Sequence, residues 1–180
     1  MAVDMKQMIA QTLTKRLEQK SVDKITVKEL VEACGISRQA FYYHFQDIMD
    51  VIEWITSQAL DASVDASLAA PTPQQAIKTV ILSLRENGKL IQHLMASQRR
   101  PEIERLLVRS ARLYLEKVLR AKAAGLAVTS SDLDAAIRFH SYGLVGMLVE
   151  RLPSAIDADA LAGQLCRLLT GEIWGGARPD

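Results

Sequence analysis

Residues 26–45, TVKELVEACGISRQAFYYHF, constrain this chain more than any other stretch of it. Thr26 can cap a helix whose apolar positions Val27, Leu30, Val31 and Cys34 follow the i, i+3, i+4, i+7 spacing of one buried stripe. Gly35 stops that helix, because glycine takes the positive φ of a helix C-terminus at no steric cost. Ile36 then plugs the turn, and Ser37 opens a second helix by accepting from a free backbone N–H. Two helices are thereby joined tightly at a steep angle.

In the second helix, a rotation of 100° per residue puts Phe41 and Phe45 on one face, the side packed on the domain. Gln39, Ala40 and Tyr43 point the opposite way, Arg38 stands at the amino end, and Tyr42 and His44 occupy the two flanks. That is the layout of a helix-turn-helix that reads the major groove of DNA. Arg38 can donate two bonds to guanine O6 and N7, and Gln39 can pair both edges of adenine. Thr26, Lys28, Tyr43 and His44 suit phosphate oxygens, which position a protein on the duplex and set its salt dependence without reading sequence. Ser37, Ala40 and Tyr42 complete the candidate DNA-binding set. The competing reading is a short amphipathic helix pair in an ordinary core, against which every cap and turn residue falls into place.

Residues 25–45 resemble the amino-terminal DNA-binding domain of the TetR family of bacterial transcriptional regulators. The resemblance rests on Thr26 at the start of the first helix, Ala33-Cys34-Gly35-Ile36-Ser37 at the turn, and Phe41-Tyr42-Tyr43-His44-Phe45 closing the second. It implies an all-helical homodimer, with a three-helix DNA-binding domain followed by a larger helical domain that dimerises and holds an inducer pocket. One position departs from the pattern: many members carry a phosphate-holding lysine at the start of the fourth helix, where this chain has Ile48, flanked by Asp47 and Asp50. An acidic first turn suits the helix dipole but not a nearby phosphate, so modest DNA affinity is expected. Through Asp47-Ile48 and Glu53-Trp54-Ile55 the chain is more similar to the branch that includes regulators of dihydroxyacetone-kinase operons than to drug-efflux repressors.

With 180 residues, 49% hydrophobic and 24% charged, the chain has ample material for a core and is not expected to be disordered. Charge adds little to the DNA reading: 22 basic residues against 21 acidic leave a net +1, far from the strongly basic signature of many nucleic-acid binders. Up to Ile48, seven Lys or Arg (6, 15, 16, 20, 24, 28, 38) face six Asp or Glu (4, 18, 23, 29, 32, 47). Asp4 and Lys6 interrupt any secretory signal, and no uncharged run approaches the roughly 20 residues of a membrane span, so a cytoplasmic protein is expected. Cys34 and Cys166 each sit on an apolar stripe without metal-ligand spacing. They read as buried thiols, with a redox role as the alternative. No metal and no cofactor are implied.

Before the motif, Met5, Met8, Ile9, Leu13 and Leu17 form a helical stripe, and Val22 and Ile25 lead into the next helix. After it, Ile48, Val51, Ile52, Ile55, Ala59, Ala62 and Ala66 describe a long helix that Pro71 and Pro73 end. Five more helices follow, at about 73–87, 89–97, 101–125, 131–151 and 157–173, with Pro101 at a first helical position where it is tolerated. The expected architecture is therefore all-α with about nine helices. A DNA-binding domain spans residues 1–46, and a dimerisation and effector-binding domain spans 47–180.

Residues 139–149 are uncharged and largely apolar on every side of their helix, so one internal face cannot account for them. A second copy of the chain would cover the other. Gly143, Gly146 and Gly163 allow close approach, and Leu161, Leu165, Leu168 and Leu169 of the last helix belong to the same bundle, giving an expected two-fold four-helix interface. A dimer in turn implies a pseudo-palindromic double-stranded operator.

His93, Met95, Tyr114, His140, Tyr142 and Met147 are candidates to line an effector cavity, although core packing is the commoner explanation of a lone His or Tyr on an apolar helix. Arg105, Arg109, Arg112 and Arg120, with Arg99 and Arg100 just before, put positive charge along one side of a helix whose other side is Ile103, Leu106, Leu107, Tyr114 and Val118. A solvated face accounts for them; an anionic effector or acidic partner protein is the sharper reading. Nucleophile elbows, phosphate-binding glycine loops, paired catalytic carboxylates and metal-ligand helices are missing from the sequence, which reads as no enzyme. The alternative function is an adaptor of the same fold that acts mainly through a protein partner and binds DNA weakly.

Overall fold

The computed structural model describes residues 4–122, 129–151 and 157–171. Among them are nine α-helices: α1 Met5–Leu17, α2 Val27–Cys34, α3 Arg38–His44, α4 Ile48–Ala69, α5 Pro73–Glu86, α6 Gly88–Met95, α7 Arg100–Lys122, α8 Ser130–Arg151 and α9 Ala158–Thr170. Val22 opens and Ile25 closes a single 3₁₀ turn, Val22–Lys24, before α2 begins. The described residues contain no strand, and no helix among them is long and apolar enough to cross a membrane.

Helix ends follow local chemistry. Asp4 caps α1 by accepting from Lys6 and Gln7, and Thr72 caps α5, with Pro73 as its first residue. Asp157 caps α9, which Gly171 ends at φ 76°. Pro101 is the second residue of α7 rather than the first, a position whose N–H also lacks an intrahelical acceptor. Gly125, Pro153 and the Gly175-Gly176 pair, helix-breaking residues near the expected ends of the last three helices, lie outside the described residues.

Packing divides the chain into two compact units, residues up to 59 with 89–106, and residues 60–88 with 107 onward. The motif-based division at 46/47 marks the end of the reading head; the compact unit that holds this head continues into α4 and takes in α6 and the start of α7. In the first unit α1, α2 and α3 pack on one another. Ile9, Leu13 and Leu17 of α1, Leu30 of α2, Phe41 of α3, Val51 of α4 and Ile103 of α7 are all fully buried there. Each such side chain contributes about 1.5–3 kcal/mol by leaving water.

In the second unit α5 packs on α9, where Ile81 meets Ala158, Leu161, Ala162 and Leu165. Leu144, Met147 and Leu148 of α8 and Leu168 of α9 pad this cluster, and Lys78 pairs with Asp159 at 2.7 Å on its rim. Gly163 is buried there, with the Gln74 side chain where a Cβ would meet it at 3.5 Å.

Two expectations about buried faces are corrected. The α4 stripe holds through Ile55, but Ala59 and Ala62 are exposed, and Val64 and Ser67 are buried instead. Alanine carries too little apolar surface to choose a face. Cys34 and Cys166 are free and half-buried rather than buried.

Candidate nucleic-acid interface

The helix-turn-helix is held by backbone chemistry at each joint. Thr26 Oγ1 accepts from the N–H of Glu29 at 3.2 Å, capping α2. Gly35 ends it in the left-handed conformation, φ 66° and ψ 31°. There the N–H of Ile36 reaches the carbonyl of Val31 at 3.0 Å, and that of Gly35 the carbonyl of Glu32 at 3.3 Å. This reciprocal pair satisfies two orphan carbonyls and fixes the exit direction. Ser37 Oγ then accepts from Ala40 N at 3.0 Å, so α3 begins at Arg38.

The two faces of α3 differ sharply. Phe41 and Phe45 are buried, their ring centroids 6.1 Å apart, and Trp54 meets Phe45 edge-on at 6.2 Å. The Lys6 ammonium lies 5.4 Å from the centre of the Phe45 ring, a cation–π contact between α1 and the end of α3. On the other side Tyr43 is 84% exposed and Tyr42 57%. Arg38 and Gln39 are exposed, while Ala40 and His44 are half-buried. The His44 ring stands edge-on to Tyr43 at 5.0 Å. Thr26, Lys28 and Ser37 are exposed on the same motif. Lys28 pairs only loosely with Glu32, at 3.9 Å across one exposed helical turn, a contact worth little that leaves the ammonium available to a phosphate.

Sequence reasoning missed the polar scaffold beneath this motif. Glu29 accepts from Lys20 Nζ at 2.9 and 2.8 Å and lies 3.4 Å from Arg16. The hydrogen bond from Lys20 holds the Glu29 carboxyl below the usual range, helped by the charges of Lys20 and Arg16 and opposed by desolvation. The acidic start of α4 also has a structural role. Asp47 accepts from the N–H of Asp50 at 3.0 Å, and Asp50 accepts from the N–H of Gln46 at 2.9 Å, two side-chain caps on the start of α4 whose D-x-x-D spacing is visible in the chain. Ile48, between them, is half-buried.

The candidate effector residues are spread over both units. His93 and Met95 belong to the first, where the His93 ring is bonded to the carbonyl of Leu17. In the second, the Tyr114 hydroxyl lies 2.7 Å from that of buried Ser67. Met147 packs on the α5–α9 cluster, and His140 is half-buried, with burial holding its imidazole below its usual pKa. Tyr142 is 70% exposed. Just before α7, Arg99 pairs with Glu102; within it Arg100 pairs with Glu104, and Arg112 with Glu116 and Asp134, which supports the solvated-face reading of that arginine row. Among the described residues no group of three or more His, Cys, Asp or Glu side chains is placed to hold a metal ion.

Residues 13–53 match the model of bacterial regulatory proteins of the tetR family, and residues 71–171 match that of a TetR transcriptional-regulator C-terminal region. The chain belongs to the TetR family. This TetR-family chain is thus a DNA-binding transcriptional regulator, with its helix-turn-helix in the first matched segment. It is 21% identical to an uncharacterized HTH-type transcriptional regulator, YerO, of Bacillus subtilis, over 96% of this chain but only 66% of that protein's length. Among solved structures, the dihydroxyacetone kinase operon activator DhaS superposes with a TM-score of 0.72 at 17% identity, covering 96% of this chain and 98% of that one. A TetR transcriptional regulator from Rhodococcus sp. RHA1 superposes with 0.57 at 16% identity, covering 90% and 93%. At such identities the likeness to this TetR-family chain is one of fold.

Proposed function

We propose that this chain works in the cytoplasm as a homodimer that binds a pseudo-palindromic operator, with Arg38 and Gln39 reading bases, and that an effector in its C-terminal domain controls binding. The observation that carries the reading is the division of α3 into a buried Phe41–Phe45 face and an exposed face bearing Arg38, Gln39 and Tyr43. Thr26, Lys28, Ser37, Ala40, Tyr42 and His44 complete the contact surface, with Thr26, Lys28, Tyr43 and His44 held to phosphates. The domain limits that go with it are 1–46 for the reading head and 47–180 for dimerisation and effector binding.

Dimerisation is supported by α8. Phe139 is 76% exposed and Tyr142 70%, and Gly143 and Gly146 continue the same face, an apolar, uncharged strip at helical spacing. Leu161 and Leu165 of α9 are buried on α5, so α8 supplies the apolar part of the interface and α9 its flank. Tyr114, His140 and Met147 remain the effector candidates within the second unit. Tyr142 is better suited to the dimer face.

Retention of genomic fragments at physiological salt tests the reading. Specific retention by the wild type, lost in Arg38→Ala, Gln39→Ala, supports it; retention of no fragment supports the protein-partner adaptor instead. Gly146→Leu is expected to yield monomers in light scattering with helicity intact. A monomeric wild type at micromolar concentration contradicts the dimer.

A further inference from the structure

Two polar contacts tie the corner between α6 and α7 to the connection between α1 and α2, and all four partners lie inside the first compact unit. Nδ1 of His93, in α6, stands 2.6 Å from the carbonyl oxygen of Leu17, the last residue of α1. A carbonyl only accepts, so the ring nitrogen donates. The last carbonyls of a helix have no partner within it, and here the N–H groups of Glu18, Gln19 and Lys20 turn back to Thr14 and Arg16. His93 supplies the donor that Leu17 needs.

The second contact runs the other way. Asp23 Oδ2, in the 3₁₀ turn, accepts from the backbone N–H of Gln98 at 3.0 Å, in the short link before α7, and from the Ser21 hydroxyl at 3.2 Å. The corner itself is anchored: Leu94, Ser97 and Ile103 are buried, and the Ser97 hydroxyl donates to the Leu94 carbonyl at 2.6 Å. From the connection the path continues into the motif, through Lys20 and Arg16 to Glu29 in the first turn of α2.

We propose that His93 and Asp23 are positioning residues of the DNA-reading head. By gripping Leu17 and Gln98 they fix the α1–α2 connection, and through Glu29 the first turn of α2, in the placement that lets α3 present Arg38 and Gln39 together. Hydrogen bonds to base edges weaken steeply with misalignment, so a small tilt of the motif costs sequence-specific affinity. His93 then acts through the main chain of α1 and not as an effector ligand. The inference rests on the reading of α3 as the DNA-reading helix.

Full-length His93→Ala, Asp23→Ala and Asp23→Asn test it in two measurements, amide hydrogen exchange and affinity for a duplex selected from a randomised library by the wild type. Asp23→Asn keeps a side-chain carbonyl to accept from Gln98. Both alanine variants are expected to exchange faster over residues 18–34 but not over 73–86 or 158–170, and to lose affinity roughly five- to tenfold, about one hydrogen bond's worth. Asp23→Asn is expected to behave nearly as wild type. Unchanged exchange over 18–34, acceleration spread over both units, or faster exchange with full affinity would each overturn the proposal. Should the wild type select no duplex, the DNA reading fails on its own, and the exchange pattern still decides whether these residues hold the connection.

Discussion

The hydroxyl oxygens of Ser67 in α4 and Tyr114 in α7 lie 2.7 Å apart, with Ser67 fully buried and Tyr114 half-buried. Burial pushes the Tyr114 phenol above its ordinary 10.0, and the bond to Ser67 pulls the other way. The folded chain therefore holds the phenol proton more tightly than the unfolded chain. Stability from this group is full below about pH 10 and is lost as pH rises through the higher folded value. Tyr114→Phe is expected to cost about 1 kcal/mol near neutrality and to reduce the alkaline loss. Urea unfolding on either side of about pH 10 checks this; equal alkaline losses in both proteins would contradict it.

Glu29 has the opposite sign. Its carboxyl is held below the ordinary 4.5, first by the hydrogen bond from Lys20, so the unfolded chain takes up a proton before the folded one does. Its contribution is present above about pH 4.5 and disappears as pH falls through the lowered folded value. Glu29→Gln should be less stable near neutrality and lose that acid dependence. Urea midpoints between about pH 3 and pH 7 measure it, and a Glu29→Gln curve parallel to wild type would remove the assignment.

Gly35 is required by its backbone and not by crowding. Its φ is 66°, yet a Cβ there would meet nothing within 4 Å. Gly35→Ala should thus cost about 1–2 kcal/mol, the left-handed penalty alone, with DNA affinity reduced further if the turn relaxes. Thermal unfolding reads the first and duplex binding the second. A melting point at or above the wild-type value would contradict the requirement.

What was legible in the sequence is what local chemistry decides. Thr26, Gly35 and Ser37 announce caps and a turn through side-chain oxygens and missing Cβ atoms, and Phe41 and Phe45 announce a buried face through size and spacing. The α4 stripe was readable while Val51, Ile52 and Ile55 defined it, and was lost at Ala59 and Ala62. Long-range polar pairs left no such trace. Nothing in the order of residues links His93 to Leu17, or Ser67 to Tyr114, because those partners meet only once helices distant in the chain have packed. The Asp47 and Asp50 caps lie between these cases: their spacing is plain in the chain, but the backbone N–H groups they serve are known only from the fold.

The central claim is that the exposed face of α3 reads bases while its neighbours hold phosphates. The direct measurement compares wild type, Arg38→Ala, Gln39→Ala and Lys28→Ala on a wild-type-selected duplex and on random duplex across a salt series. The base-reading variants are expected to lose about 1–3 kcal/mol of discrimination each while keeping random-duplex affinity. Lys28→Ala should weaken both duplexes alike and reduce the salt slope by about one unit. Undiminished discrimination without Arg38 and Gln39, in a chain that remains folded, would contradict the account.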